Sequence, residues 1–217
     1  VIGTFCLGAL LLGHAGLLEN KECTTHWAGL ETMLKNYPTA CMEPDKAFTE
    51  NDGIYTAGGA FTSMQLILFF IEKYCGREVA LVLSKMAGIP YPIKSQSQFY
   101  MFNAQKNHSD KPIVEVQNYM EKHYPKTLKM DELSKIANMS ARNFIRRFKK
   151  ATGDTPIEYL QKIRIETAKK AFESGETSVT EVMYNIGYQD IKSFGMLFKR
   201  MTGMTPSRYA KQYSVIN

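Results

Sequence analysis

Two hydrophobic rhythms run along this chain, and they change over between residues 89 and 111. Up to residue 88, short apolar runs of strand length alternate with longer runs of helix length. Residues 1–5 predict a strand running into Cys6-Leu7-Gly8, followed by an apolar helix over 9–18. Residues 28–36 have helical spacing and stop at Tyr37-Pro38; residues 39–42 and 53–56 are strand candidates. After Gly58-Gly59, the spacing predicts helices over 61–74 and 77–86, ended by Gly76 and by Gly88 and Pro90. Strands alternating with helices predict an α/β layer with a partly parallel sheet. Residues 89–111 keep neither rhythm. Pro90, Pro92, Ser95-Gln96-Ser97-Gln98 and a polar run from 103 predict a linker.

From residue 112 the only rhythm is helical. Ile113, Val116 and Met120 share one stripe, which Pro125 stops, and Thr127 is expected to cap a helix carrying Leu128, Leu133 and Ile136. This half, residues 112–213, is expected to be all-α.

The second half also repeats itself. Phe144, Phe148, Lys149, Lys150, Thr152, Gly153, Thr155, Pro156 and Tyr159 recur in type fifty residues later as Phe194, Phe198, Lys199, Arg200, Thr202, Gly203, Thr205, Pro206 and Tyr209. Two copies at constant offset indicate a tandem duplication rather than a solenoid. Each copy has the layout of a helix-turn-helix. In the first, a helix over 131–137 meets Asn138 at the turn, Met139 plugs the corner and Ser140 caps the next helix. In the second, a helix over 179–186 meets Gly187, Tyr188 is the plug and Asp190 the cap. Gly153 and Gly203 end the second helices, and Pro156 and Pro206 open the following ones. Residues 156–174 predict one long connecting helix.

At 100° per residue, Phe144 and Phe148 define the inward side of the first repeated helix. Arg142, Arg146 and Lys149 then face the opposite way, with Arg147 and Lys150 on the flank, where they suit phosphates. In the second copy, Lys192, Met196 and Lys199 face away from Phe194 and Phe198, with Ser193 and Arg200 alongside. Arginine pairs bidentately with guanine O6 and N7. A thioether makes only apolar contact, for instance with a thymine methyl.

Charge strengthens this reading. Of 217 residues with net charge +6, residues 1–110 carry −2 and residues 111–217 carry +8. A polyanion is therefore the expected partner of the second half. The hydrophobic fraction of 44% and charged fraction of 22% suit a folded chain. The apolar runs at 7–12 and 66–71 are far too short to span a bilayer, so no membrane role is expected. The first residue is Val1 rather than Met, with no signal peptide in view, which suggests a piece of a longer polypeptide. Cys6, Cys23, Cys41 and Cys75 have neither zinc-site nor CxxC spacing. Reduced thiols, a cytoplasmic location and no metal or cofactor are the expectation. Cys23, Cys41 and Cys75 are read as packing residues.

Residues 112–213 resemble the AraC/XylS family of bacterial transcriptional regulators. The resemblance rests on the two helix-turn-helix units, on Gly-x-Thr-Pro-x-x-Tyr ending each, and on Asn185-Ile186-Gly187-Tyr188 leading to Ser193, Phe194, Phe198, Lys199 and Arg200. It implies two subdomains joined by a linker helix that bind promoter DNA in successive major grooves, about 34 Å apart. By family position Arg142, Asn143, Arg146, Lys192, Ser193 and Met196 are base-facing. Gly195 and Met196 depart from more polar members.

Residues 1–88 carry a second resemblance. A cysteine between a strand and a helix is the layout of a nucleophile elbow. With Ala15-Gly16-Leu17-Leu18 and Thr24-Thr25-His26-Trp27, Cys6-Leu7-Gly8 resembles the PfpI-like branch of the class I glutamine amidotransferase superfamily, a flavodoxin-like sandwich. The resemblance implies that residues 1–88 are the C-terminal part of such a domain, with Cys6 at the nucleophile position and His26 near it. An acidic partner that the family supplies from its first half is absent, so no catalytic set is completed. The expected protein is a sequence-specific transcriptional regulator and not an enzyme. Its N-terminal domain would bind a small-molecule effector or form a homodimer, and RNA polymerase is a further partner to expect. The alternative is a cysteine-dependent, amidotransferase-like hydrolase with a targeting module.

Overall fold

The computed structural model describes residues 1–214, the side chain of Gln98 excepted. The chain divides into two compact units, Val1–Tyr100 and Met101–Asn217. The first is a small mixed α/β unit. In chain order it contains β1 (Ile2–Thr4), α1 (Ala9–His14), β2 (Glu22–Cys23), α2 (Leu30–Asn36), β3 (Cys41–Met42), β4 (Phe48–Asn51), β5 (Ile54–Ala57), α3 (Ala60–Cys75) and α4 (Arg77–Met86). β5 lies between β1 and β4, parallel to β1 with Ile2 opposite Ile54, and antiparallel to β4 through a tight turn at Asp52-Gly53. β2 and β3 form a separate parallel pair. Leu12, Leu18, Cys23, Met33 and Ile54 pack one core; Tyr55, Ala57 and Leu66 pack another.

Several expectations need correction here. The helix expected over 9–18 ends at His14, because the chain turns at Gly16 in the left-handed region (φ 72°) and tucks Leu18 into the core. β2 and β4 give no strand signal because their sequences, Glu22-Cys23 and Phe48-Thr49-Glu50-Asn51, are largely polar. What fixes β4 is a buried cross-strand hydroxyl pair, Thr49 to Thr56 at 2.7 Å. Residues 89–111 are not a free linker. The Ala47 N–H donates to Lys94 O at 2.9 Å. Gln96 is buried, with its amide nitrogen 2.9–3.1 Å from Thr24 Oγ1, Thr25 O and Pro44 O. Phe102, by contrast, packs in the second unit, edge-on to Tyr159. Only Cys23 behaves as a packing thiol; Cys41 and Cys75 are exposed.

The second unit is all-helical: α5 (Lys111–His123), α6 (Met130–Ile136), α7 (Ala141–Thr152), α8 (Pro156–Glu173), α9 (Val179–Asn185), α10 (Ile191–Thr202) and α11 (Pro206–Tyr213). It has two cores. Ile113, Val116, Met120, Leu133, Phe144, Phe148, Tyr159 and Ile163 make the first. Ile165, Phe172, Val182, Met183, Phe194, Phe198 and Tyr209 are central to the second. α8 serves both, its N-terminal half the first core and its C-terminal half the second, so the two cores are joined by continuous helix rather than by a loop. Thr127 does not cap α6, which starts at Met130 after Lys129 with no side-chain cap. Among the described residues no helix is long and apolar enough to cross a membrane.

Candidate nucleic-acid interface

The duplication holds residue by residue in three dimensions. Phe144 and Phe148 meet edge-on at 5.6 Å, and Phe194 and Phe198 at 5.7 Å. Phe148 then meets Tyr159 at 5.3 Å, as Phe198 meets Tyr209 at 5.4 Å. The buried Thr152 hydroxyl donates back to Phe148 O, and that of Thr202 to Phe198 O, at 2.9 and 2.7 Å. These side chains anchor α7 and α10 by equivalent faces and thereby dictate which faces turn outward.

The caps account for where each helix starts and stops. The Ser140 hydroxyl accepts from Asn143 N–H, and the Asp190 carboxylate accepts from Ser193 N–H at 2.7 Å. Hydrogen bonds from Ser193 hold the Asp190 carboxyl below the usual carboxylate range. Gly153 and Gly203 end α7 and α10 in the left-handed conformation, at φ 80° and 76°. The two turns before these helices differ instructively. Asn138 stands at φ 52° and is exposed, so its side chain has room. Gly187 stands at φ 86°, and a Cβ there would lie 2.2 Å from Pro125 O. Only glycine fits the second turn.

Arg142, Arg146, Lys149 and Lys150 are exposed on α7, and Lys192, Ser193, Lys199 and Arg200 on α10. Neither helix contains a carboxylate. Arg146 Nη2 donates to Asn143 Oδ1 at 2.8 Å, which orients both groups on one outward patch. Lys149, Lys150, Lys199 and Arg200 lie in the last turns, where cations also favour the negative end of the helix dipole. Met196 is 69% exposed, a large apolar side chain between Lys192 and Lys199 with open space over the neighbouring Gly195. Such a residue gains nothing in water and is suited to an apolar surface brought to it.

Arg147 is the exception among the expected contacts. Its Nε and Nη2 donate to the two carboxylate oxygens of Asp110 at 3.0 and 2.8 Å, and Asp110 also caps α5. A bidentate pair of this kind consumes the fork that a phosphate would need. Arg147 therefore holds α7 to α5 instead of lying free on the outer face. Asp110, in a polar stretch expected to be a linker, gives no sign of this in the sequence.

Arg164 escaped the sequence reading too. It lies between Ile163 of the first core and Ile165 of the second. Its Nε donates to Tyr124 O at 2.8 Å, its Nη2 to Lys126 O at 2.9 Å, and its guanidinium stands 5.1 Å from the centre of the Tyr188 ring. Burial raises the Tyr188 hydroxyl pKa, and Arg164 works against that rise. A lone arginine in a mixed helical stripe carries no signal that would have found it.

In the first unit, Cys6 has the left-handed φ of 56°, directly after β1. His26 N–H donates to Cys6 O at 3.2 Å, and the Thr25 hydroxyl does so at 3.0 Å, so the two expected residues are brought together through the backbone. The His26 ring is otherwise occupied. Nδ1 accepts from Ala28 N–H at 3.2 Å, the ring packs on Trp27 at 4.8 Å, and burial lowers its pKa.

Residues 133–212 match the family described as a helix-turn-helix domain. Most of the chain is similar to the HTH-type transcriptional regulator GbdR of Pseudomonas aeruginosa, 26% identical over 207 residues covering 94% of this chain and 56% of the relative. It is likewise similar to the HTH-type transcriptional regulator GlxA of Rhizobium meliloti, 26% identical over 209 residues, 94% of this chain and 63% of the relative. The MmsAB operon regulatory protein of Pseudomonas aeruginosa is 34% identical over 94 residues, 43% of this chain and 31% of that protein. The chain thus spans little more than half the length of the first two.

Proposed function

We propose that this chain belongs to a bacterial transcriptional regulator of the AraC type and supplies its DNA-reading domain, in keeping with the helix-turn-helix match over residues 133–212. The observation that carries the proposal is the pair α7 and α10. Each is a twelve-residue helix behind a tight turn, anchored by a buried Phe-Phe pair and bare of carboxylates, with an outward cationic face. Helices presented in this way enter successive major grooves of duplex DNA.

Within that reading the two helices divide the work unequally. Arg142, Asn143 and Arg146 read base edges by hydrogen bonds, with Arg146 suited to guanine. On α10, Lys192, Ser193 and Met196 face the groove, and Met196 makes apolar contact with thymine methyls. Lys149, Lys150, Lys199 and Arg200 contact phosphates and set the register without choosing a sequence.

The first unit serves the regulator by sensing an effector or by pairing two copies, in the cytoplasm, on promoter DNA that RNA polymerase shares. Its descent from a PfpI-like, amidotransferase-like domain is supported by the left-handed Cys6 between β1 and α1, with residues 1–88 as the C-terminal part of that domain. No catalytic step is assigned to it.

Selection from random duplex DNA at physiological salt tests the proposal. A bipartite site is expected, with the half under α7 more sharply specified than the half under α10. Failure of any sequence to out-compete bulk DNA would overturn it.

A further inference from the structure

The two readers are held by more than their shared helix. α5 ends at His123, and a helix end presents carbonyls with no partner inside the helix. Just beyond it, Tyr124 O and Lys126 O are both taken by Arg164, which stands on α8 where the first core gives way to the second. The negative end of a helix dipole favours a cation at that spot. The same guanidinium lies over the ring of Tyr188, the plug of the second turn, 5.1 Å from its centre. Next to it, Gly187 brings its backbone so close to Pro125 O that a Cβ would overlap it. Residues 124–126 of the first helix-turn-helix half and residues 187–188 of the second therefore meet directly, with Arg164 hydrogen-bonded to one and placed over the ring of the other.

We infer that Arg164 is a positioning residue that locks the second helix-turn-helix against the first, and so limits the protein to bipartite DNA sites of a single spacing. A helix alone is a compliant joint, since it bends and twists with small changes in its hydrogen bonds. A second attachment off the helix axis removes those motions. The consequence for DNA is steep, because one base pair of spacing turns the second half-site by about 34° and shifts it by about 3.4 Å. A locked pair of readers cannot follow that displacement. A loosened pair can, at the cost of effective concentration at the optimum.

The inference rests on the DNA-reading proposal, and one titration series separates the two. The full chain is titrated with its selected site, with versions carrying one base pair more or less between the halves, and with a version whose α10 half is scrambled. The wild-type chain is expected to lose most of its preference at either altered spacing. Arg164→Met is expected to bind the optimal site about tenfold more weakly. It should also bind the altered spacings nearly as well as the optimum, and the scrambled site as the wild type does. Arg164→Lys keeps the charge but reaches only one carbonyl, and is expected to give an intermediate spacing profile. It carries the test if the methionine variant loses its helical circular dichroism. A wild-type spacing profile in a folded variant overturns the inference, as does equal weakening on every site including the scrambled one. If the wild-type chain selects no sequence at all, the DNA-reading proposal itself has failed.

Discussion

Replacing Gly187 by alanine and, separately, Gly153 by alanine isolates the contact between the two helix-turn-helix halves. The two glycines have nearly the same φ, 86° and 80°. The intrinsic cost of placing an alanine in the left-handed region is therefore shared, roughly 1–2 kcal/mol. About 0.4–1 kcal/mol is recovered because the unfolded chain is less free. At Gly153 nothing lies within 4 Å of the added Cβ, so the net loss should stay near 1 kcal/mol. At Gly187 the Cβ would stand 2.2 Å from Pro125 O, 2.8 Å from Pro125 C and 3.0 Å from Arg164 Nη2. The carbonyl cannot retreat without pulling its neighbours Tyr124 and Lys126 from Arg164. Overpacking of this kind costs about 1–3 kcal/mol more. Urea unfolding followed by helical circular dichroism measures both variants. Equal losses for the two variants would refute the reasoning, because the difference rests entirely on the Pro125 contact.

Other expectations concern single side chains. Arg146→Ala should cost about 1–3 kcal/mol and relax one base pair, while Lys150→Ala should weaken all sequences alike and lower the salt slope by about one. Met196→Ala should lose less than Arg146→Ala; band-shift titrations over a salt series measure all three. Asp110→Ala should lower the thermal stability of the helical unit, because it removes both the α5 cap and the Arg147 pair. Its selected DNA sequence should not change. Burial pushes the Cys23 thiol up to about 11, so at pH 8 roughly one molecule in a thousand carries its thiolate. Brief alkylation read by mass spectrometry should therefore mark exposed Cys41 and Cys75 and spare Cys23. Burial lowers the folded pKa of His26 below its ordinary value, so the folded first unit binds fewer protons than the unfolded. Its contribution to stability is complete above about pH 6.5 and is lost as pH falls through the folded pKa. Trp27 fluorescence should show this dependence in the wild type, and His26→Gln should abolish it.

What the sequence determined by itself was whatever repeats or alternates locally. The fifty-residue offset, the Ser140 and Asp190 caps, the terminal Gly153 and Gly203, and the outward faces of α7 and α10 all follow from helical period and capping chemistry. Both act within a turn or two of chain. Tertiary structure decided the rest. β2 and β4 are too polar to show a strand rhythm and exist because partners pair with them. Gln96 looks like linker and is a buried staple, since its three acceptors come from segments fifty to seventy residues away. Arg147 looks like a phosphate contact until Asp110, thirty-seven residues earlier, takes its fork. Arg164 and Gly187 acquire their roles only when the end of α5 meets the second turn. Contacts between residues remote in the chain depend on where the backbone has been carried, and no local pattern encodes that.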